Sequence, residues 1–139
     1  MKVRQLVRGD GVAAGIAQKD KVTEKVHLRF RQPKAIKNKL PAKMIEDGYG
    51  LKEKSLWIQD SIRELLQDKY WKPMALELMW SIGDTVNDGV YLTIEVQEML
   101  DAAADELVEY ADQEGRPMRR SVSSIIRAAI TRKFIEGVK

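Results

Sequence analysis

The sequence predicts a mainly α-helical domain built around a two-stranded antiparallel β-ribbon, with both strands supplied by the same chain. Three observations predict it: two short runs of period-two hydrophobic alternation, near residues 25–31 and 90–95; helical periodicity after each run; and the return of this order a second time along the chain.

The chain has 139 residues, 44% of them hydrophobic, enough for one modest core and one globular module. It has no cysteine, which excludes disulfides, thiolate zinc sites and thiol nucleophiles. His27 is the only histidine, so a multi-histidine metal centre is excluded as well. The longest mainly apolar stretch, Met74 to Ile82, contains Glu77 and falls far short of the roughly 20 residues that span a bilayer. The N-terminus, with Lys2 and Arg4 followed by Asp10, Gly11 and Gly15, lacks the continuous apolar segment of a secretory signal. The expectation is a cytoplasmic protein without a membrane partner, metal or cofactor.

Net charge is +3 overall but divides unequally. Residues 1–69 hold 16 Lys and Arg against 9 Asp and Glu, a net +7; residues 70–139 hold 8 against 12, a net −4. The first half alone has the charge of a polyanion binder.

Residues 1–24 mix glycine and charge without a sustained period and read as a flexible basic arm. Residues 25–67 form a first strand–helix–helix unit. Val26, Leu28 and Phe30 alternate with Lys25, His27, Arg29 and Arg31, a half-buried strand. Pro33 then suits the first turn of a helix carrying Ile36, Leu40 and Met44, which ends near Gly48 and Gly50. Pro41 requires that this helix be kinked or begin only near Pro41. Ile58, Ile62, Leu65 and Leu66 mark a second amphipathic helix entered through Lys54 and Ser55.

Residues 68–89 hold Trp71, Pro73, Met74, Leu76, Leu78, Met79 and Trp80 and read as a connector with room for one short helix, closing on turn-like Gly83, Asn87, Asp88 and Gly89. Residues 90–136 repeat the order. Val90, Leu92 and Ile94 alternate with Tyr91, Thr93 and Glu95; a helix follows with Leu100, Ala103, Ala104, Leu107 and Ala111 inward, stopped by Gly115; a last helix carries Ile125, Ile126, Ala129, Ile130 and Phe134. An offset of 68 places Ser55 on Ser123, Ile58 on Ile126 and Ile62 on Ile130, and an offset of 64 places Val26, Leu28 and Phe30 on Val90, Leu92 and Ile94. The expected core is Val26, Leu28, Phe30, Ile58, Ile62 and Leu66 packed with Val90, Leu92, Ile94, Ile126, Ile130 and Phe134.

The run from Ser121 to Ile130 resembles the second-helix signature of the ribbon-helix-helix family of DNA-binding proteins, and residues 90–94 resemble its ribbon strand. Members usually pair two chains; this chain carries two units, so the resemblance implies an intramolecular pseudo-dimer. A strand with two short helices has too little core to stand alone, and about 20 connector residues reach up to roughly 66 Å when extended, so self-pairing is feasible. A chain-swapped dimer is the alternative pairing. In architecture the chain also resembles relaxosome accessory proteins of conjugative plasmids and virulence accessory proteins that bind T-DNA borders.

The resemblance implies that the ribbon enters the major groove of double-stranded DNA. With the apolar alternates inward, Lys25, His27, Arg29, Arg31, Tyr91 and Thr93 become the base-reading residues. Lys54, Ser55, Arg119, Arg120, Ser121 and Ser123, at the starts of the second helices, become the phosphate-binding ones. The arm, with Lys2, Arg4 and Arg8, would track the backbone further. Because the strands differ chemically, the expected site is asymmetric, with cooperative assembly on DNA a further prospect.

Each feature also has an ordinary reading. An alternating strand with outward basic groups is commonly just a solvated sheet face, and it is the repeat and the helix signature that favour DNA. Trp57, Trp71 and Trp80 read as packing anchors. The acidic face of Glu98, Asp101, Asp105, Glu109 and Asp112 reads as solvated, or as a surface that orients the module or docks a basic partner. With no catalytic constellation, the expectation is a DNA-binding protein and not an enzyme: a transcriptional repressor or an accessory factor in conjugation or other mobile-element DNA processing. The alternative is an antitoxin-like or adaptor protein whose acidic half docks a relaxase, a toxin or another protein. A purely helical interaction protein is the third class.

Overall fold

The computed structural model describes residues 24–78 and 83–136. The expected arm, apart from Glu24, and Trp80 of the connector lie outside them. Among the described residues, β1 (Lys25–Pro33) and β2 (Thr85–Thr93) form the one sheet, an antiparallel pair with Val26 opposite Leu92 and Leu28 opposite Val90. Five helices complete the described fold: α1 (Lys34–Glu46), α2 (Lys54–Gln67), α3 (Trp71–Leu78), α4 (Ile94–Gln113) and α5 (Val122–Glu136). The protein is thus mainly α-helical with a two-stranded antiparallel ribbon closed within one chain.

The second strand differs from expectation at both ends. It begins at Thr85, so the last five residues of the expected connector are strand. Asn87, Asp88 and Gly89 have turn composition, yet Asp88 is held on the inner face by Lys54 and Gln32, and the backbone runs straight through. At the other end Ile94 is not a core strand residue. The Thr93 hydroxyl accepts the Val96 N–H, capping α4, and Ile94 starts the helix 40% exposed.

Pro33 likewise closes β1 with an extended backbone (φ −56°, ψ 137°), and α1 starts one residue later. That helix neither waits for Pro41 nor stops there; it runs from Lys34 to Glu46 with Pro41 exposed on its surface.

These boundaries correct the repeat. Lys25 to Thr85 and Lys34 to Ile94 are each 60 positions apart, not 64, while Lys54 to Val122 is 68. The second copy is longer by eight residues between strand and last helix, mostly because α4 has 20 residues where α1 has 13. Both helices end alike. Gly48 (φ 92°) and Gly115 (φ 74°) adopt the left-handed conformation, with Tyr49 N–H donating to Met44 O and Arg116 N–H to Ala111 O, the Schellman closure that suits glycine.

α2 and α5 pack against each other and against the inner face of the ribbon, and α3 covers α5. Phe30, Ile58, Ile62, Val90, Leu92, Ile126 and Ile130 are buried as expected, whereas Val26, Leu28, Leu66 and Phe134 are half-buried. Leu40 and Met44 of α1, and Val96, Leu100 and Leu107 of α4, extend this core outward at helical spacing. Trp57 is 1% exposed, its indole N–H donating to Asp47 Oδ2 at 2.8 Å and its ring edge-on to Phe134. Trp71, Ala75 and Leu76 are the buried residues of α3. No helix of the described residues is long and apolar enough to cross a membrane.

Candidate nucleic-acid interface

Alternation along the two strands leaves one face of the ribbon outside. The register places Lys25 opposite Thr93, His27 opposite Tyr91, Arg29 opposite Gly89, Arg31 opposite Asn87 and Pro33 opposite Thr85 on that face. The structure therefore brings all six sequence-predicted base-reading residues onto one surface. It adds Thr85, Asn87 and Gly89, which sequence reasoning missed because Asn87, Asp88 and Gly89 have the composition of a turn. Matching the two helix starts, Lys34 with Ile94, was the signal that finds them.

The two ends of this face differ. At one, the His27 and Tyr91 rings lie 4.6 Å apart, tilted by 46°. A Cβ on Gly89 would sit 2.5 Å from His27 Nε2, so the imidazole leans into space that only glycine leaves open. At the other end Arg31 spans the ribbon, donating to Thr85 Oγ1 (2.8 and 3.0 Å), Thr85 O (2.9 Å) and Asn87 Oδ1 (3.0 Å). Between them Arg29 is exposed and has no hydrogen bond or ion pair with another described residue. Lys37 of α1 adds a cation at the Arg31 end by donating to Asn87 O at 3.0 Å. Thr93 also lies on this face, but its hydroxyl serves as the α4 cap.

The first turns of α2 and α5 grip opposite edges of the ribbon. Tyr91 N–H donates to Ser55 Oγ (3.0 Å), and Arg31 N–H donates to Ser123 Oγ (3.4 Å), contacts that correspond under the offsets of 60 and 68. Each hydroxyl keeps its own proton available as a donor toward a ligand. One turn further along, the chemistry inverts. Thr93 N–H donates to Gln59 Oε1 at 2.9 Å, while at the corresponding place Pro33 has no N–H and Arg127 instead donates to the Arg31 carbonyl at 3.0 Å. Burial holds the Arg127 guanidinium below the ordinary arginine range.

The remaining expected phosphate ligands are placed as follows. Ser121 caps α5, accepting from Ser124 N–H at 3.0 Å. Arg119 is exposed, with no hydrogen bond or ion pair to another described residue. Arg120 donates to Asp105 Oδ1 (2.7 Å) and Asp101 Oδ1 (3.3 Å) of the acidic face of α4, which raise its pKa further.

Lys54 is ion-paired with Asp88 at 2.6 Å. Burial pushes the Asp88 carboxyl up, but the Lys54 and Gly89 hydrogen bonds and the charges of Lys54 and Lys37 outweigh it, holding the group below the usual carboxylate range. Among the described residues no three His, Asp or Glu side chains converge to hold a metal ion.

In comparisons with known proteins, no family model, curated protein or solved structure matches the chain.

Proposed function

We propose that this chain is a sequence-specific double-stranded-DNA-binding protein, made of two ribbon-helix-helix units that pair within one polypeptide and insert their ribbon into the major groove. The observation that carries the reading is the outer ribbon face. A continuous, largely cationic surface of Lys25, His27, Arg29 and Arg31 lies beside Asn87, and helix N-termini are hydrogen-bonded to both of its edges. A two-stranded ribbon is the right width for the major groove.

In the groove, Arg29 has the free bidentate fork that matches guanine O6 and N7, and Asn87 has the amide that matches adenine N6 and N7. The first turns of α2 and α5 offer backbone N–H groups, the Ser55 and Ser123 hydroxyls and Arg119 to phosphates on either side, which fixes register without naming bases. The role is binding, in transcriptional repression or in accessory steps of plasmid and mobile-element DNA processing.

The test is selection of bound duplexes from a random pool, followed by titration of the selected and a scrambled duplex at two salt concentrations. Preference for the selected duplex that persists at the higher salt supports base reading; equal affinity for both sequences overturns it. One observation favours a second, compatible role. Glu98, Glu109 and Asp112 of α4 are exposed and form no ion pair with another described residue, an acidic face available to a basic protein such as a relaxase or toxin.

A further inference from the structure

The inner face of the ribbon breaks the repeat at one place. Gln32 is fully buried and donates to Asp88 Oδ2 at 2.6 Å; Asp88, 8% exposed, also accepts from Lys54 Nζ at 2.6 Å and from Gly89 N–H at 2.7 Å. Under the offsets of 60 and 68 the corresponding residues at the other end of the ribbon are Leu92 for Gln32, Leu28 for Asp88 and Val122 for Lys54. One end of the inner face is therefore a polar triad of buried Gln32 and Asp88 with the half-buried Lys54, and the equivalent end is apolar.

The triad is divided between the units: Gln32 and Lys54 come from the first, and the carboxylate comes from the second. If the first unit paired with its own equivalent in another copy, both ends would set Gln32 and Lys54 against Leu28, with no carboxylate. If the second unit did so, both ends would bury Asp88 against Leu92 and Val122, with no cation. The second arrangement leaves the Asp88 carboxylate, whose side chain is 4% exposed, uncompensated in the core, which is strongly destabilising. The first leaves the buried Gln32 amide and the partly exposed Lys54 ammonium without the acceptor they share. Only first with second satisfies both ends.

We propose that Gln32, Lys54 and Asp88 form a pairing-specificity device that makes each unit accept only the other kind. The inference rests on the two-unit reading of the fold and is independent of DNA binding. The triad contributes selection more than stability, since Gln32 Oε1 is buried without a partner and an apolar end of similar volume closes the opposite side of the ribbon.

The experiment uses the full chain, which has no cysteine of its own. In a ribbon formed by two copies of β1, position 29 faces itself, so Arg29→Cys joins two chains by a disulfide in a glutathione redox buffer. In the native pairing it faces Gly89 and does not. Arg29→Cys alone is expected to stay monomeric. Adding Gln32→Leu, Lys54→Val and Asp88→Leu, which copies the apolar end, is expected to raise the disulfide-linked dimer at least about tenfold. Gln32→Leu with Lys54→Val alone, which makes the first unit apolar at both ends and strands Asp88 in the native pairing, is expected to raise it further. Lys39→Cys, at an exposed position of α1, reports random collision.

Folded variants whose disulfide dimer through position 29 stays at the Lys39→Cys background overturn the proposal. His27→Cys with Tyr91→Cys in the native background tests the two-unit reading separately: an intrachain disulfide supports it, and its absence would sink that reading rather than the selection device.

Discussion

On the proposed reading, Arg29→Ala isolates base reading from everything else on the ribbon. The side chain sits at the centre of the outer face, opposite a glycine, and makes no hydrogen bond or ion pair with a described residue. Its removal is therefore expected to shift stability by no more than about 0.5 kcal/mol. A bidentate arginine–guanine contact is worth roughly 1–3 kcal/mol of discrimination, which at about 1.4 kcal/mol per factor of ten is about 5- to 140-fold in affinity.

The assay is fluorescence anisotropy with a labelled duplex recovered by selection and with its scrambled counterpart, at several salt concentrations. For a base contact, affinity falls by that factor on the selected duplex, hardly changes on the scrambled one, and the slope of log affinity against log salt is unaltered. For a phosphate contact, both affinities fall together and the slope drops by about 0.9. Equal losses on the two duplexes would refute the assignment of Arg29 to a base edge.

Four further outcomes follow from the same geometry. Asp88, with its pKa depressed against Lys54 and Lys37, stabilises the fold above the unfolded carboxylate pKa of about 3.9. Melting temperature should therefore fall as acid protonates it, and Asp88→Asn should flatten that part of the pH profile. Tyr49 donates to Asp60 Oδ2 at 2.7 Å and its pKa is raised to about 12; the associated stability is present below the unfolded value of 10.0 and is lost as pH climbs through about 12. Tyr49→Phe should cost about 1 kcal/mol at neutral pH and remove that alkaline loss, both read by denaturant titration. Ile62→Ala, at a fully buried site, should cost about 2–5 kcal/mol in the same titration. Ser55→Ala and Ser123→Ala should each speed hydrogen exchange at the edge amide they cover, Tyr91 and Arg31 respectively, while leaving the opposite edge unchanged.

The alternation of Val26, Leu28 and Phe30, and the helical stripes through Ile58, Ile62, Ile126 and Ile130, were legible because burial of a face imposes a period on sequence. The offset between strands was not. Offsets of 60 and 64 are both even, so either keeps the same residues inward, and matching hydrophobic to hydrophobic selects 64. The structure adopts 60, which sets Leu28 equivalent to Asp88 and Leu92 equivalent to Gln32, a substitution acceptable only because Lys54 reaches in from α2. A buried carboxylate satisfied by a residue 34 positions away leaves no local trace in sequence, and with it went the first five residues of β2. The partners of Arg120 were illegible for the same reason: its charge suggests phosphate, but the fold sets it beside Asp101 and Asp105.

The repeat holds at the ribbon edges and helix ends, and lapses along the outer face of the ribbon and at the inner Gln32, Lys54 and Asp88 end. Ser55 and Ser123 hold the two ribbon edges in the same way, and Gly48 and Gly115 close α1 and α4 alike, so both helix N-termini are presented to the ribbon in related positions. On the outer face the equivalent residues diverge: His27 corresponds to Asn87, Arg29 to Gly89 and Arg31 to Tyr91. Where Pro33 removes a donor, the acceptor Gln59 is answered by the donor Arg127, so the frame survives even a change in hydrogen-bond polarity. On the proposed reading, a frame of near two-fold symmetry fixes evenly spaced phosphate contacts, while the divergent face reads a site that is not a palindrome. Inverting that site relative to flanking sequence must then reverse the orientation of the bound protein, and a single iron-chelate cleavage probe tethered to the thiol of a Lys39→Cys variant should report the reversal as a switch of the cleaved side.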